Sequence, residues 1–276
     1  HVDAAEQTLW GEAADRTMAR LLSAPEHTPL LVFRRVASSG GTPVEHVVSP
    51  VAGALTADLF LVPVTDEGGV TSLRAVGRDE VELEPITSLD MTRPLARVTL
   101  TGEGTEIATG DTARAAVDAG LAAGAALLAS EQLGVAQWCL ETTVEYAKTR
   151  VQFARPIGSF QAIKHRLADL YLLLVGAQAA ARHAAGTLAD GALRGSSVAP
   201  QDAVEGRIAT ATAAAFCSDA AVRAAEEALQ LHGGIGMTWE AAVHTRLKRA
   251  KSDQLALGTP DRHRSDLAEL VDLPAC

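Results

Sequence analysis

The stretch Arg150-Val151-Gln152-Phe153-Ala154-Arg155-Pro156-Ile157-Gly158-Ser159-Phe160-Gln161-Ala162-Ile163-Lys164-His165 brings two guanidiniums, aromatic rings and side-chain amides close together in the chain. A guanidinium fork matches phosphate oxygens in bidentate geometry, and a following helix N-terminus would add backbone donors. That makes an anion site. The competing reading is a helix–helix corner with solvated arginines. A second stretch, Gln230-Leu231-His232-Gly233-Gly234-Ile235-Gly236-Met237, ends a helical pattern. Its glycines would let a flat ligand approach the backbone closely. The competing reading is a glycine-terminated helix with Gly233 as a left-handed cap. It is not a dinucleotide fingerprint, because the spacing is wrong and no strand precedes it.

Both stretches need rigid elements to hold them. Leu133 to Thr149 reads as helix, and Ile163, Leu167, Leu170 and Leu174 form one apolar face of another. Pro156 cannot sit inside a helix, Gly158 permits a turn, and Ser159 could cap the second helix. The third helix opens at Pro200-Gln201-Asp202, with Val204, Ile208, Ala211, Ala215, Val222 and Leu229 on its inner side.

Along the chain, residues 1 to about 24 read as helical through Ala5, Leu9, Ala13, Met18, Leu21 and Leu22, ended by Pro25 and Pro29. From Leu30 the pattern becomes β-rich: Leu30–Val36, Val44–Val48, Leu59–Val64, Thr71–Ala75, Val81–Ile86 and Ala96–Leu100, separated by turn residues. After Gly102 it reads as helical, in segments about 111–149, 160–190, 201–232 and 240–252. The expected fold class is α+β: a small β-sandwich or barrel, then an antiparallel four-helix bundle. The expected division is 1–29 as the remnant of an N-terminal helical domain, 30–105 as a middle β domain and 106–276 as the helical bundle.

The chain has 276 residues, 47% hydrophobic and only 4% aromatic, a balance suited to helices packed through small side chains. A formal charge of −10 argues against a nucleic-acid partner, whose phosphates require a basic face. Arg246, Lys248, Arg249 and Lys251 form a basic run that reads as a solvated helix face. Apolar runs such as Ala122–Ala129 are interrupted by Gly124 and read as too short to cross a bilayer. The widely spaced Cys139, Cys217 and Cys276 are no disulfide framework, and the first two read as buried thiols. With no leader visible at His1-Val2-Asp3, a reducing cytoplasm is expected. No histidine spacing suggests a metal site.

The Arg150 stretch resembles the acyl-CoA dehydrogenase signature Arg-x-x-Phe-Gly-Arg-Pro-Ile-Gly followed by Phe-Gln-x-x-x-His, with Ala154 at the family's glycine. Gln230–Gly236 resembles the family's Gln-x-x-Gly-Gly-x-Gly. Ala57-Asp58-Leu59-Phe60-Leu61-Val62 and Asp90-Met91-Thr92-Arg93 resemble its Ala-Asp-x-x-x-Val and Asp-x-Thr-Arg segments. The resemblance covers about residues 44–262. What precedes it is shorter than the family's N-terminal helical domain, and the family's Thr-Glu-Pro-x-x-Gly-Ser-Asp stretch is absent. The resemblance implies FAD as cofactor. Its diphosphate would be held across a dimer by the Arg150 loop, with Arg150, Gln152, Phe153, Gln161, Gln230, Leu231, Gly233, Gly234 and Thr259 as cofactor-binding residues.

The family's reaction removes an α-proton from an acyl-CoA while a hydride leaves to flavin, and it needs a general base. By the resemblance, the base is the glutamate of a Glu-Gly-Thr segment, which here is Leu257-Gly258-Thr259. The alternative family position falls at Gly124-Ala125 and holds no carboxylate either. Asp253 and Asp261 lie nearby in sequence and read as loop or cap carboxylates. The resemblance therefore implies one subunit of a hetero-oligomer, a heterotetramer with two copies of each chain, in which a homologous acyl-CoA dehydrogenase subunit carries the base. The implied substrate is an acyl-CoA, such as a steroid side-chain thioester in lipid and steroid degradation. The implied acceptor is an electron-transferring flavoprotein. Two alternatives stand beside it: a non-enzymatic oligomerisation module of the same fold, and a flavin enzyme, such as an oxidase or hydroxylase, using another base.

Overall fold

The computed structural model describes residues 4–9, 33–39, 42–65, 69–194 and 200–273. The described residues through Leu121, with Leu255–Gly258, form one compact unit; Ala122–Gln254 and the described residues from Thr259 form another.

The first unit is built on two antiparallel sheets. One has the order β1 (Ala4–Leu9), β2 (Phe33–Ser39), β3 (Thr42–Ala52), β7 (Leu95–Leu100), β6 (Val81–Ile86). The other has the order β4 (Leu59–Thr65), β5 (Thr71–Gly77), β8 (Thr105–Thr109). Strand alternation turns Phe60 and Val62 of β4 inward, and Ala96 and Val98 of β7 likewise. Val48, Val76 and Val81 join them in one buried cluster fed by both sheets.

Three sequence expectations change here. Ala4–Leu9 is a strand, not helix: its helix-favouring residues pair in register with β2, from Ala4↔Ser38 to Leu9↔Phe33, so pairing overrides propensity. The rest of that expected helix, with Pro25 and Pro29, lies outside the described residues. Thr105–Thr109 is a strand where helix was expected. It can lie against β5 because Gly104, at φ +59°, has no Cβ; one added there would meet the Ala75 carbonyl oxygen at 2.6 Å. Finally, a further helix, Pro260–Leu270, stands where only cap and loop carboxylates were read.

The second unit is helical. Its helices are α1 (Gly110–Thr149, beginning in the first unit), α2 (Gln161–Arg194), α3 (Pro200–His232), α4 (Val243–Leu255) and α5 (Pro260–Leu270). Their cores use small residues. Ala126 and Ala129 of α1, Ala177, Ala181 and Ala184 of α2, and Ala209, Ala213 and Cys217 of α3 form one buried cluster. A second cluster gathers Val135, Cys139 and Leu140 with Leu170, Val222 and Val243. On α3, Ala211, Ala215 and Val222 are buried as expected, whereas Val204 is exposed.

By length and composition α1 is apolar enough to cross a bilayer, although its runs had read as too short. Two of its polar side chains are engaged by α4. Gln132 donates to the Asp253 carbonyl at 3.2 Å, and Glu131 pairs with Arg249. The basic run on α4 is likewise partnered rather than solvated. Arg246 lies 4.7 Å over the Trp138 ring, Lys248 lies 5.0 Å over Trp239, and Lys251 pairs with Glu226 at 3.0 Å. Cys139 and Cys217 are free, buried thiols. Burial pushes Cys139 up to about 12 against a smaller opposing effect of Arg246, and pushes Cys217 up to about 11. Neither is a thiolate near neutral pH, so neither serves as a nucleophile.

Candidate functional site

The Arg150 stretch is a miniature hairpin between two long helices. Arg150 N–H closes the last turn of α1 on the Tyr146 carbonyl at 2.8 Å, and the Arg150 carbonyl accepts from Ile157 N–H at 2.8 Å. Between them β9 (Val151–Gln152) pairs with β10 (Arg155–Pro156), Gln152 opposite Arg155. The turn residues Phe153 and Ala154 have φ +53° and +62°, the sign pattern of a type I′ turn. Ile157 is buried and anchors the hairpin. Gly158 lets it sit down on α1, since a Cβ there would meet the Ala147 carbonyl oxygen at 2.9 Å. Ser159 belongs to the short 3-10 turn that follows. The α2 cap is Phe160, whose carbonyl accepts from Ile163 and Lys164.

The side chains of this hairpin face outward. Arg150, Gln152, Phe153, Arg155 and Gln161 are all exposed, Phe153 by 88%. The Arg155 guanidinium lies 4.0 Å over the Phe160 ring, and Phe153 meets Phe160 edge-on with centroids 6.1 Å apart. Gln161 is within 3.3 Å of His165. An L-residue at φ +62° is strained by about 1 kcal/mol or more relative to glycine. Ala154→Gly should therefore raise stability by up to about 1 kcal/mol, read as a shift in the urea midpoint. An unchanged or lowered midpoint would mean that the turn carries no such strain.

The glycine stretch ends α3. His232 is buried, and its Nδ1 lies 2.7 Å from the Ala228 carbonyl oxygen. Gly233 follows at φ +63° and starts a 3-10 turn through Met237. Gly236 packs closely: a Cβ there would meet the Leu229 carbonyl oxygen at 3.0 Å. Gly233 and Gly234 are exposed, and an added Cβ at either would find nothing within 4 Å. Gln230 is exposed and Leu231 half-buried. At Gly233 and Gly234 the turn offers bare backbone, and beside them Ile235 and Met237 expose apolar side chains.

The two stretches are brought together. The rings of Tyr146, near the end of α1, and His232 stack at 4.2 Å and 18°, and the Tyr146 hydroxyl donates to the His232 carbonyl at 3.3 Å. Sequence reasoning missed both of these residues. The available signal was position: Tyr146 stands one helical turn before Arg150 and His232 directly before Gly233.

Thr259 is not joined to them by any hydrogen bond. Its hydroxyl caps α5, accepting from Arg262 N–H at 3.3 Å. Leu257 and Gly258 precede it at φ +55° and +106°. Asp253 is fully buried on α4, and Asp261 is exposed and paired with Arg264 at 2.9 Å. A cavity of about 390 Å³ between α1 and α2, lined by Leu133, Leu140, Val144, Tyr171 and Leu174 with Glu141 and Glu145, contains none of the predicted cofactor-binding residues. Its carboxylates have the wrong sign for a phosphate.

Comparison with known proteins bears on this arrangement. The family described as "Acyl-CoA dehydrogenase, C-terminal domain" matches residues 113–271, more than half of the chain. The acyl-CoA dehydrogenase IpdE2 of Mycobacterium tuberculosis is 43% identical over 178 residues, covering 64% of this chain and 48% of IpdE2. The chain thus spans about half the length of that relative. The ChsE4–ChsE5 complex of Mycobacterium tuberculosis has the same fold, with a TM-score of 0.68 at 24% identity over 91% of this chain and 64% of that one. So does the steroid ACAD Tcur3481–Tcur3483, with a TM-score of 0.68 at 24% identity over 88% of this chain and 62% of that one. The chain belongs to the acyl-CoA dehydrogenase family.

Proposed function

We propose that this chain is one subunit of a flavin-dependent acyl-CoA dehydrogenase, and that its Arg150 hairpin and Gln230–Gly234 turn hold the FAD of a homologous partner chain. The observation that carries the reading is outward presentation. Arg150, Gln152, Phe153, Gln161, Gln230, Gly233 and Gly234 are exposed on the chain's surface instead of lining a pocket of their own. The donor set fits the group. Two guanidiniums suit a diphosphate, and the open glycine backbone suits a flat ring. When bound, FAD supplies the hydride acceptor for α,β-dehydrogenation.

The chain's own residues divide the work. Arg150 and Arg155 neutralise phosphate charge, and Phe153, projecting from a strained turn, buries its ring against the partner. Leu257 stands at the family's base position and accepts no proton, so the partner supplies the general base. The assembly is a heterotetramer with two copies of each chain, working in the cytoplasm. Each subunit combines a small β domain with an antiparallel four-helix bundle. Its substrate is an acyl-CoA thioester of the steroid side-chain class, and electrons pass on to an electron-transferring flavoprotein. The heteromeric and steroid-directed relatives of the same fold support this choice. The test is acyl-CoA-dependent dye reduction. This chain purified alone gives none, and the chain co-expressed with its homologous partner gives turnover; turnover by this chain alone would overturn the division of labour.

A further inference from the structure

We infer that Tyr146 is the positioning residue that locks the Arg150 hairpin to the Gly233 turn, so that one ligand can span both; this rests on reading the two segments as a single FAD half-site. Three contacts meet on this residue. Its main-chain carbonyl accepts from Arg150 N–H at 2.8 Å, at the root of the hairpin. Its hydroxyl donates to the His232 carbonyl at 3.3 Å, at the root of the glycine turn. Its ring stacks on the buried His232 imidazole at 4.2 Å and 18°.

The imidazole is itself held. Nδ1–H donates to the Ala228 carbonyl at 2.7 Å, which fixes the ring's rotation on α3. The glycine turn folds back on the same side chain, since a Cβ at Gly236 would meet His232 Cβ at 3.1 Å. The far end of the hairpin rests on the neighbouring residue, Gly158 against the Ala147 carbonyl. Both segments therefore take their positions from Tyr146 and its immediate neighbour. Displacement of a phosphate-binding guanidinium by even an ångström costs affinity, because bidentate hydrogen bonds are directional.

The experiment compares Tyr146→Leu, which loses the stack and the hydroxyl, with Tyr146→Phe, which keeps the stack. Amide hydrogen exchange is followed in the purified chain, and FAD release is followed from the mixed assembly, with Arg150→Ala as reference. In Tyr146→Leu, exchange at residues 150–157 and 233–238 should speed together by about tenfold, the scale of an aromatic pair. The middle of α1 should be unchanged. FAD release should speed by a similar factor, and Tyr146→Phe should restore most of both. A merely structural residue would loosen α1 as well and would not join the two segments. Loosening of only one segment, or of neither, overturns the inference. So does joint loosening with FAD release unchanged while Arg150→Ala accelerates it. If Arg150→Ala leaves FAD release unchanged, the half-site reading itself fails, and the exchange data alone decide whether Tyr146 couples the segments.

Discussion

Replacing Arg150 with alanine should weaken FAD retention by the assembled protein about 10- to 100-fold, with little change in folding stability. Hydrogen bonds to a charged partner contribute about 1.5–3 kcal/mol, and each 1.4 kcal/mol is about a factor of ten. The guanidinium is exposed and lies at the end of α1, so its loss leaves no cavity and no buried charge. Arg150→Lys should recover part of the affinity. It keeps the charge but not the planar fork that engages two phosphate oxygens. Raising ionic strength should narrow the difference between wild type and Arg150→Ala, because salt screens the attraction between guanidinium and phosphate. Flavin fluorescence after dilution reads all three. Arg182, exposed on α2 away from the hairpin in sequence, is the control whose replacement by alanine should change nothing. Equal loss from Arg182→Ala and Arg150→Ala would reduce the effect to general charge.

The largest stability effect is expected in the alanine core. Ala213 is fully buried where α1, α2 and α3 meet through Ala126, Ala129, Ala177 and Ala181. Around Ala213 the neighbouring alanines place only methyl groups between the helices, which favours close approach. Ala213→Leu inserts an isobutyl group at a fully buried position. Overpacking of this kind costs about 3 kcal/mol, roughly a hundredfold in the folded-to-unfolded ratio. Thr212, next in sequence but exposed, gives the contrast: Thr212→Leu should stay within about 0.5 kcal/mol. Urea midpoints measure both. A tolerated Ala213→Leu would show that the helices can part without penalty.

The long helices were legible because their apolar residues recur at helical spacing over many turns, from Leu133 to Thr149 and from Ile163 to Leu174. The β region was legible through its turn residues. Ala4–Leu9 was not, since its residues favour helix and only the partner strand β2 decides its conformation. Thr105–Thr109 offers few apolar positions and is placed by Gly104's close approach to β5. The α5 helix was obscured because Thr259 read as the end of the Leu257-Gly258-Thr259 segment and Asp261 as a loop or cap carboxylate, whereas Thr259 caps the helix and Pro260 is its first residue. The basic run on α4 looked solvated because its partners, Trp138, Glu131 and Glu226, lie on other helices.

In the candidate site, the residue types were legible and the geometry was not. Phe153-Ala154 is no usual turn pair, yet both residues adopt positive φ and close a two-residue hairpin. Nothing in the spacing joins position 146 to position 232. That link exists only because α1 and α3 end beside each other.

In the proposed assembly this chain completes a flavin site belonging to another chain. Native mass spectrometry of this chain, alone and co-expressed with its homologous partner, counts chains and FAD molecules in one measurement. FAD is expected only in the mixed assembly, and is expected to be lost when Arg150→Ala is introduced into this chain. Stoichiometric FAD on this chain by itself, or a mixed assembly without FAD, would contradict it.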